Sequence, residues 1–111
     1  MREDKIKVLI KEPGEEVHEA LIRNELSEFQ NLVDGYIEII SPLKNKNIVS
    51  VINDFGKVIG LQHNFIFTDK DIICGTAIFT KTNSDGDFVS LKKRDVLQIE
   101  KYLKTRSIYY V

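Results

Sequence analysis

The apolar residues Leu26, Phe29, Leu32 and Val33 recur three and four positions apart, and the repeat stops at Asp34-Gly35. Such spacing lays one apolar stripe along a helix, and glycine tolerates the positive φ that closes a helix C-terminus. Immediately after it comes Tyr36-Ile37-Glu38-Ile39-Ile40, a β-prone run. A helix therefore hands over directly to a strand, which commits the chain to a mixed fold. In that strand Tyr36, Glu38 and Ile40 share one face and Ile37 and Ile39 the other, because successive side chains point to opposite sides. Glu38 thus stands on a largely apolar face.

The rest of the chain reads mainly as strands. Lys5 to Lys11 alternates Ile6, Val8 and Ile10 with Lys5, Lys7 and Lys11, the pattern of a strand with one wet face, and Glu12-Pro13-Gly14 ends it. Glu16 to Arg23 is compatible with a short strand or the first turns of a helix; a short strand is preferred. Asn24 then serves as N-cap of a helix over 24 to 34, with Glu25 and Glu28 suited to its dipole. Ser41 to Asn47 is a connection. Ile48 to Asn53 resumes β character, Asn53-Asp54-Phe55-Gly56 supplies a tight turn, and Lys57 to Leu61 runs back from it as a hairpin. Asn64 to Phe67 reads as a further short strand, Asp71 to Thr82 as the longest β run, Asn83 to Asp87 as a turn and Phe88-Val89 as a strand. From Leu91 to Lys104 the spacing is helical again, with Val96, Ile99, Tyr102 and Leu103 as the stripe and Ser90 as N-cap.

The expected fold is α+β: a mainly antiparallel sheet of five or six strands with two helices packed on one face. At 111 residues and 42% hydrophobic content the chain supports one core, hence a single domain over 1–111 with a short tail at 104–111. A net charge of −1 with 30% charged residues leaves no field of one sign to direct binding to nucleic acid or membrane. No apolar run approaches the roughly 20 residues of a membrane helix. One cysteine, Cys74, and a charged start unlike a secretory signal fit a cytoplasmic setting.

Chemistry-bearing motifs dissolve on inspection. Asp54-Phe55-Gly56 has the letters of the kinase magnesium motif, but no glycine-rich loop, strand lysine or catalytic loop accompanies it, so it reads as a turn. Asn83, Asp85 and Asp87 alternate like calcium ligands, yet Phe88 stands where the loop needs glycine and Arg94 where it needs a bidentate glutamate. Cys74 lies between Ile73 and Gly75, with His18 and His63 isolated from it and no zinc-like spacing, and reads as core packing. No catalytic set, metal site or cofactor motif is expected. Glu38, Asn53, Asn64 and Thr76 are polar groups within or beside apolar segments, which need partners if buried. They are the candidate ligand positions, together with Lys92, Lys93 and Arg94, a basic cluster opening a helix where cations oppose the dipole.

In order, Gly35-Tyr36-Ile37-Glu38, Asn53 with Gly56-Lys57, Gly60-Leu61 and Asn64, Asp71-Ile72-Ile73 with Gly75-Thr76, and Asp87-Phe88 before a last helix form a recognisable series. Over about residues 6 to 103 it resembles a family of small proteins from bacteriophages, plasmids and conjugative elements, catalogued as a domain of unknown function. The resemblance implies a mobile-element setting and no activity. The expected function is that of a non-enzymatic binding protein acting in the host cytoplasm, countering host defence by sequestering a nucleotide signal or occluding a host defence protein. The alternative is a nucleic-acid-binding accessory protein using the basic helix start and the tail near Tyr109 and Tyr110. Ile108-Tyr109-Tyr110-Val111 is apolar enough to seek cover, either at a homodimer contact or by capping a sheet edge of its own subunit.

Overall fold

Residues 3–109 are described by a computed structural model of the chain. Its elements are β1 (Lys5–Lys11), β2 (His18–Arg23), α1 (Leu26–Val33), β3 (Ile37–Ile40), β4 (Ile48–Asn53), β5 (His63–Thr68), β6 (Asp71–Cys74), β7 (Ala77–Thr82), β8 (Phe88–Val89) and α2 (Lys93–Lys104). The α+β class holds. Six strands form one antiparallel sheet in the order β2-β1-β7-β4-β3, with β8 pairing β7, and β5 and β6 form a separate ribbon. The middle of the main sheet is β7, flanked by β1 and β4. The strand that follows the first helix, β3, lies at an edge.

The two helices cover opposite faces of that sheet rather than sharing one. Phe29 and Val33 of α1 pack with Ile6, Val8, Ile10, Val51 and Ile78. Ile99 and Leu103 of α2 pack with Leu9, Ile48, Ile52, Ala77 and Phe79, and Phe65 and Ile73 of the β5-β6 ribbon join this second layer. Alternation makes the division unavoidable: Ile78 points one way and its neighbours Ala77 and Phe79 the other. A strand apolar on both faces is buried on both, and every residue of β4 is buried. The wet face expected of β1 is consequently only half wet. Lys5 is exposed and Lys7 pairs with Glu19 at 3.0 Å, but Leu9 and Lys11 on the same face are buried.

Several boundaries differ from expectation for identifiable reasons. Residues 54–60 form successive turns, and β4 pairs with β3 and β7, so the hairpin onto Lys57–Leu61 does not form. The long β run breaks at Gly75, whose φ of 86° is left-handed, and splits into β6 and β7. Residues 16–23 do contain a strand, β2, paired antiparallel with β1. Asn24 does not cap α1. Its side-chain amide donates to the carbonyls of Glu3 (2.9 Å) and Phe88 (3.1 Å), tying the start of β1 to β8, while Glu25 holds the cap position. Ser90 does not cap α2 either: its Oγ accepts the Lys7 N–H at 3.0 Å, and the helix begins after Lys92, whose N–H donates to the Asp95 carboxylate at 2.8 Å. Part of the tail pairs within its own chain. Ser107 bridges Phe65 of β5, and the Ile108 N–H donates to the Asn64 carbonyl at 2.8 Å. Tyr110 and Val111 lie outside the described residues. Among the described residues no helix is long and apolar enough to cross a membrane.

Candidate functional site

The first cleft opens where β3 and β4 end against the 54–60 loop and β6. It holds about 240 Å³ and is lined by Glu38, Asn53, Asp54, Phe55, Lys57, Asp71 and Cys74 among others. Its shape begins with Asn53. Buried at the end of β4, Asn53 donates through Nδ2 to the carbonyls of Val33 and Asp34, each at 3.1 Å, and accepts the Phe55 N–H at 2.8 Å through Oδ1. One side chain therefore satisfies the C-terminus of α1 and starts the loop. The left-handed residue at that helix end is Asp34, with φ of 63°, not Gly35. Gly35 is required for a different reason: a Cβ there would stand 2.7 Å from Asn53 Nδ2.

The loop is held at both ends. The Asp54 N–H donates to the Tyr36 carbonyl at 2.8 Å, the Leu61 N–H to Gly56 at 2.9 Å, and the Gly75 N–H to Gln62 at 2.8 Å. Lys57 forms an ion pair with Asp71 across the cleft mouth. Glu38 is exposed and lies opposite Ile52 in the β3-β4 register. The rim thus carries the carboxylates of Glu38, Asp54 and Asp71 against one ammonium that is already paired. Burial pushes the Cys74 thiol above its ordinary value, partly offset by Lys57, so the sulfur is held as a thiol and not as a nucleophilic thiolate.

Of the ligand candidates, Glu38 and Asn53 meet at this cleft and the others do not. Asn64 is fully buried and donates to the carbonyls of Lys11 (2.7 Å) and Gly75 (2.8 Å), while its Oδ1 is buried without a partner. Reversing the amide would aim the oxygen at two carbonyls, so the assignment is fixed by chemistry. Asn53 and Asn64 therefore act as internal staples. Thr76 is half-buried between β6 and β7. Lys92, Lys93 and Arg94 are exposed, and Asp95 beside them is buried against Lys81 at 3.3 Å. That carboxylate in the first turn answers the unfavourable position of the three cations at the helix start.

A second cleft was not visible in the sequence. About 310 Å³ in volume, it is lined by Lys11, Glu16, Val17, Glu100, Leu103, Lys104, Ser107 and Tyr109. At its base Lys11 is only 1% exposed. The ammonium donates to the Glu12 carbonyl at 3.0 Å and lies 5.3 Å from the Tyr109 ring centroid. Desolvation lowers the Lys11 pKa, opposed by the carboxylates of Glu16 and Glu15. A lysine in an alternating strand reads as solvated; the one sequence signal against this was Leu9, two residues earlier on the same face.

Over residues 6–105 the chain matches the family described as a domain of unknown function, DUF3846. The chain belongs to that family. No curated protein and no solved structure matches it. The matched residues run from Ile6 in β1 past the end of α2 and include every lining residue of the first cleft, whereas Ser107 and Tyr109 of the second cleft lie beyond them.

Proposed function

We propose that the protein is a non-enzymatic binding protein of a bacteriophage or mobile element that occludes a host protein, a defence protein in the first instance, in the host cytoplasm. The observation that carries this reading is the surface of the 54–60 loop. Phe55, Val58 and Ile59 are 51%, 84% and 58% exposed. Single exposed apolar residues need no explanation, but three on one short loop form a patch of the kind that contacts partners. Exposed Tyr36 lies beside the loop, because the Asp54 N–H donates to its carbonyl. β3 pairs only with β4, so its outer main-chain groups are available to a partner strand.

Sequestration of a nucleotide signal fits less well. The acidic rim of the first cleft opposes phosphate, and Lys92, Lys93 and Arg94 line neither cleft. Those three exposed cations instead favour the runner-up, a nucleic-acid-binding accessory role, whose affinity would fall steeply with salt. Binding absent at low salt removes the runner-up. For the leading reading, wild type and a Phe55→Ser, Val58→Ser, Ile59→Ser variant are used to capture host proteins, and ligands released from the purified protein are analysed by mass spectrometry. A partner held by wild type and lost by the variant supports occlusion; release of a stoichiometric nucleotide refutes it.

A further inference from the structure

Lys11 poses a physical problem that the loop surface does not address. A buried charge is ordinarily paired, because the cost of removing an ammonium from water is several kcal/mol. Among the described residues Lys11 has one hydrogen bond, to a neutral carbonyl, and no ion pair. Two of its three N–H donors remain available. The Glu16 carboxylate acts on Lys11 without a direct ion pair and accepts the Tyr109 hydroxyl at 3.3 Å.

The surroundings are built, not incidental. Asn64 fixes the Lys11 main chain through the 2.7 Å bond to its carbonyl, and the Asn64 carbonyl fixes the tail through Ile108. Ser107 donates its hydroxyl to the Leu103 carbonyl at 2.8 Å, anchoring the same tail to the end of α2. Lysine, tail and helix end are thereby held around one space. The lining contains two cations, Lys11 and Lys104, two carboxylates, Glu16 and Glu100, and apolar wall from Val17, Leu103 and Tyr109. Balanced charge of both signs beside an apolar wall matches a ligand that is itself a zwitterion with an apolar body, and a volume of about 310 Å³ admits only a small one.

We propose that this cavity binds a free amino acid with an apolar side chain, its carboxylate on the Lys11 ammonium, its ammonium facing Glu16 and Glu100, and its side chain against Val17, Leu103 and Tyr109. The carboxylate supplies the directly paired counter-ion that Lys11 lacks among the described residues. Occupancy also couples to the tail, since Tyr109 forms one wall.

The test is a ¹H–¹⁵N titration of the full chain with three probes of one shape: L-leucine, 4-methylpentanoate, which lacks the ammonium, and leucinamide, which lacks the carboxylate. Leucine is expected to give saturable shifts at Lys11, Val17, Leu103 and Tyr109, with 4-methylpentanoate weaker and leucinamide inert. Lys11→Gln should weaken leucine at least about tenfold, which is about 1.4 kcal/mol. Glu16→Gln should weaken leucine and leave 4-methylpentanoate unchanged, a comparison that stands even if Lys11→Gln fails to fold. Absence of saturable shifts up to about 10 mM leucine, weaker than any useful Kd, overturns the proposal. So does equal binding of leucine and leucinamide, or leucine binding that Lys11→Gln leaves intact.

Discussion

Replacing Asn53 separates a ligand position from a structural one. Its side chain makes three hydrogen bonds, donating to Val33 and Asp34 and accepting from Phe55, and it is buried. Each bond is worth about 1 kcal/mol net, and a buried group left unpaired costs about 1–3 kcal/mol, so Asn53→Ala should lose about 3 kcal/mol or more. Against a total stability of about 5–15 kcal/mol this is a large fraction. The melting temperature should fall by on the order of 10–20 °C for a domain of this size. Asn53→Asp sharpens the argument. The carboxylate still accepts from Phe55 but cannot donate, and it sets a negative charge against two carbonyl oxygens, so it should be at least as damaging as alanine. Thermal and urea unfolding followed by circular dichroism measure both. A melting temperature within about 2 °C of wild type for either variant, equivalent to well under 1 kcal/mol, would refute the account of this helix end.

Lys11→Met should raise stability at neutral pH by about 1–4 kcal/mol, since replacing a buried charge by an apolar chain of similar volume is commonly stabilising. Because burial holds the folded Lys11 pKa below 10.5, the unfolded chain binds the extra proton between the folded value and 10.5, and stability rises with pH across that window. The Met variant should lose this rise in urea titrations at graded pH. Cys74, pushed above 9.0, and Tyr102, pushed above 10.0 by burial, contribute in the opposite sense, so both variant and wild type weaken as the unfolded thiol and phenol ionise. Iodoacetamide should modify Cys74 slowly in native protein and rapidly in urea; fast native alkylation would contradict its placement in the core. Truncation after Lys104 removes the Ser107–Phe65 bridge, the Ile108 bond and the Arg106 guanidinium 4.6 Å from the Tyr102 ring. It should cost about 2–3 kcal/mol, at about 1 kcal/mol per lost bond. Light scattering on both lengths then tests whether the tail forms a homodimer contact, and a dimer unaffected by truncation would show that it does not.

Periodicity carried the fold as far as elements, and failed where one strand served two layers. The repeat from Leu26 to Val33 and the stripe from Val96 to Leu103 located both helices, and the alternation of Lys5 to Lys11 located β1. What they left open was which face each helix covers. The answer lay in Ile48-Val49-Ser50-Val51-Ile52, apolar on both faces and thus a strand between two layers. Val58 and Ile59 misled in the other direction: apolar residues after a turn read as a returning strand, but they sit exposed on a loop. At the sites, Asn53 and Asn64 were legible as polar groups needing partners, and their partners are main-chain carbonyls of α1, β1 and the Gly75 break. Lys11 was illegible because its burial depends on α2 and the tail, which are distant in sequence.

The most direct test of the binding reading is quantitative capture from host lysate by wild type and by the Phe55→Ser, Val58→Ser, Ile59→Ser variant, with circular dichroism showing both folded at the capture temperature as the control. Val58 is largely exposed and Phe55 and Ile59 about half, so the triple substitution should cost on the order of 1–3 kcal/mol and leave the domain folded at the capture temperature. The account predicts a specific protein retained by wild type, lost by the variant and retained by Lys11→Met. Equal retention by wild type and the loop variant would contradict it.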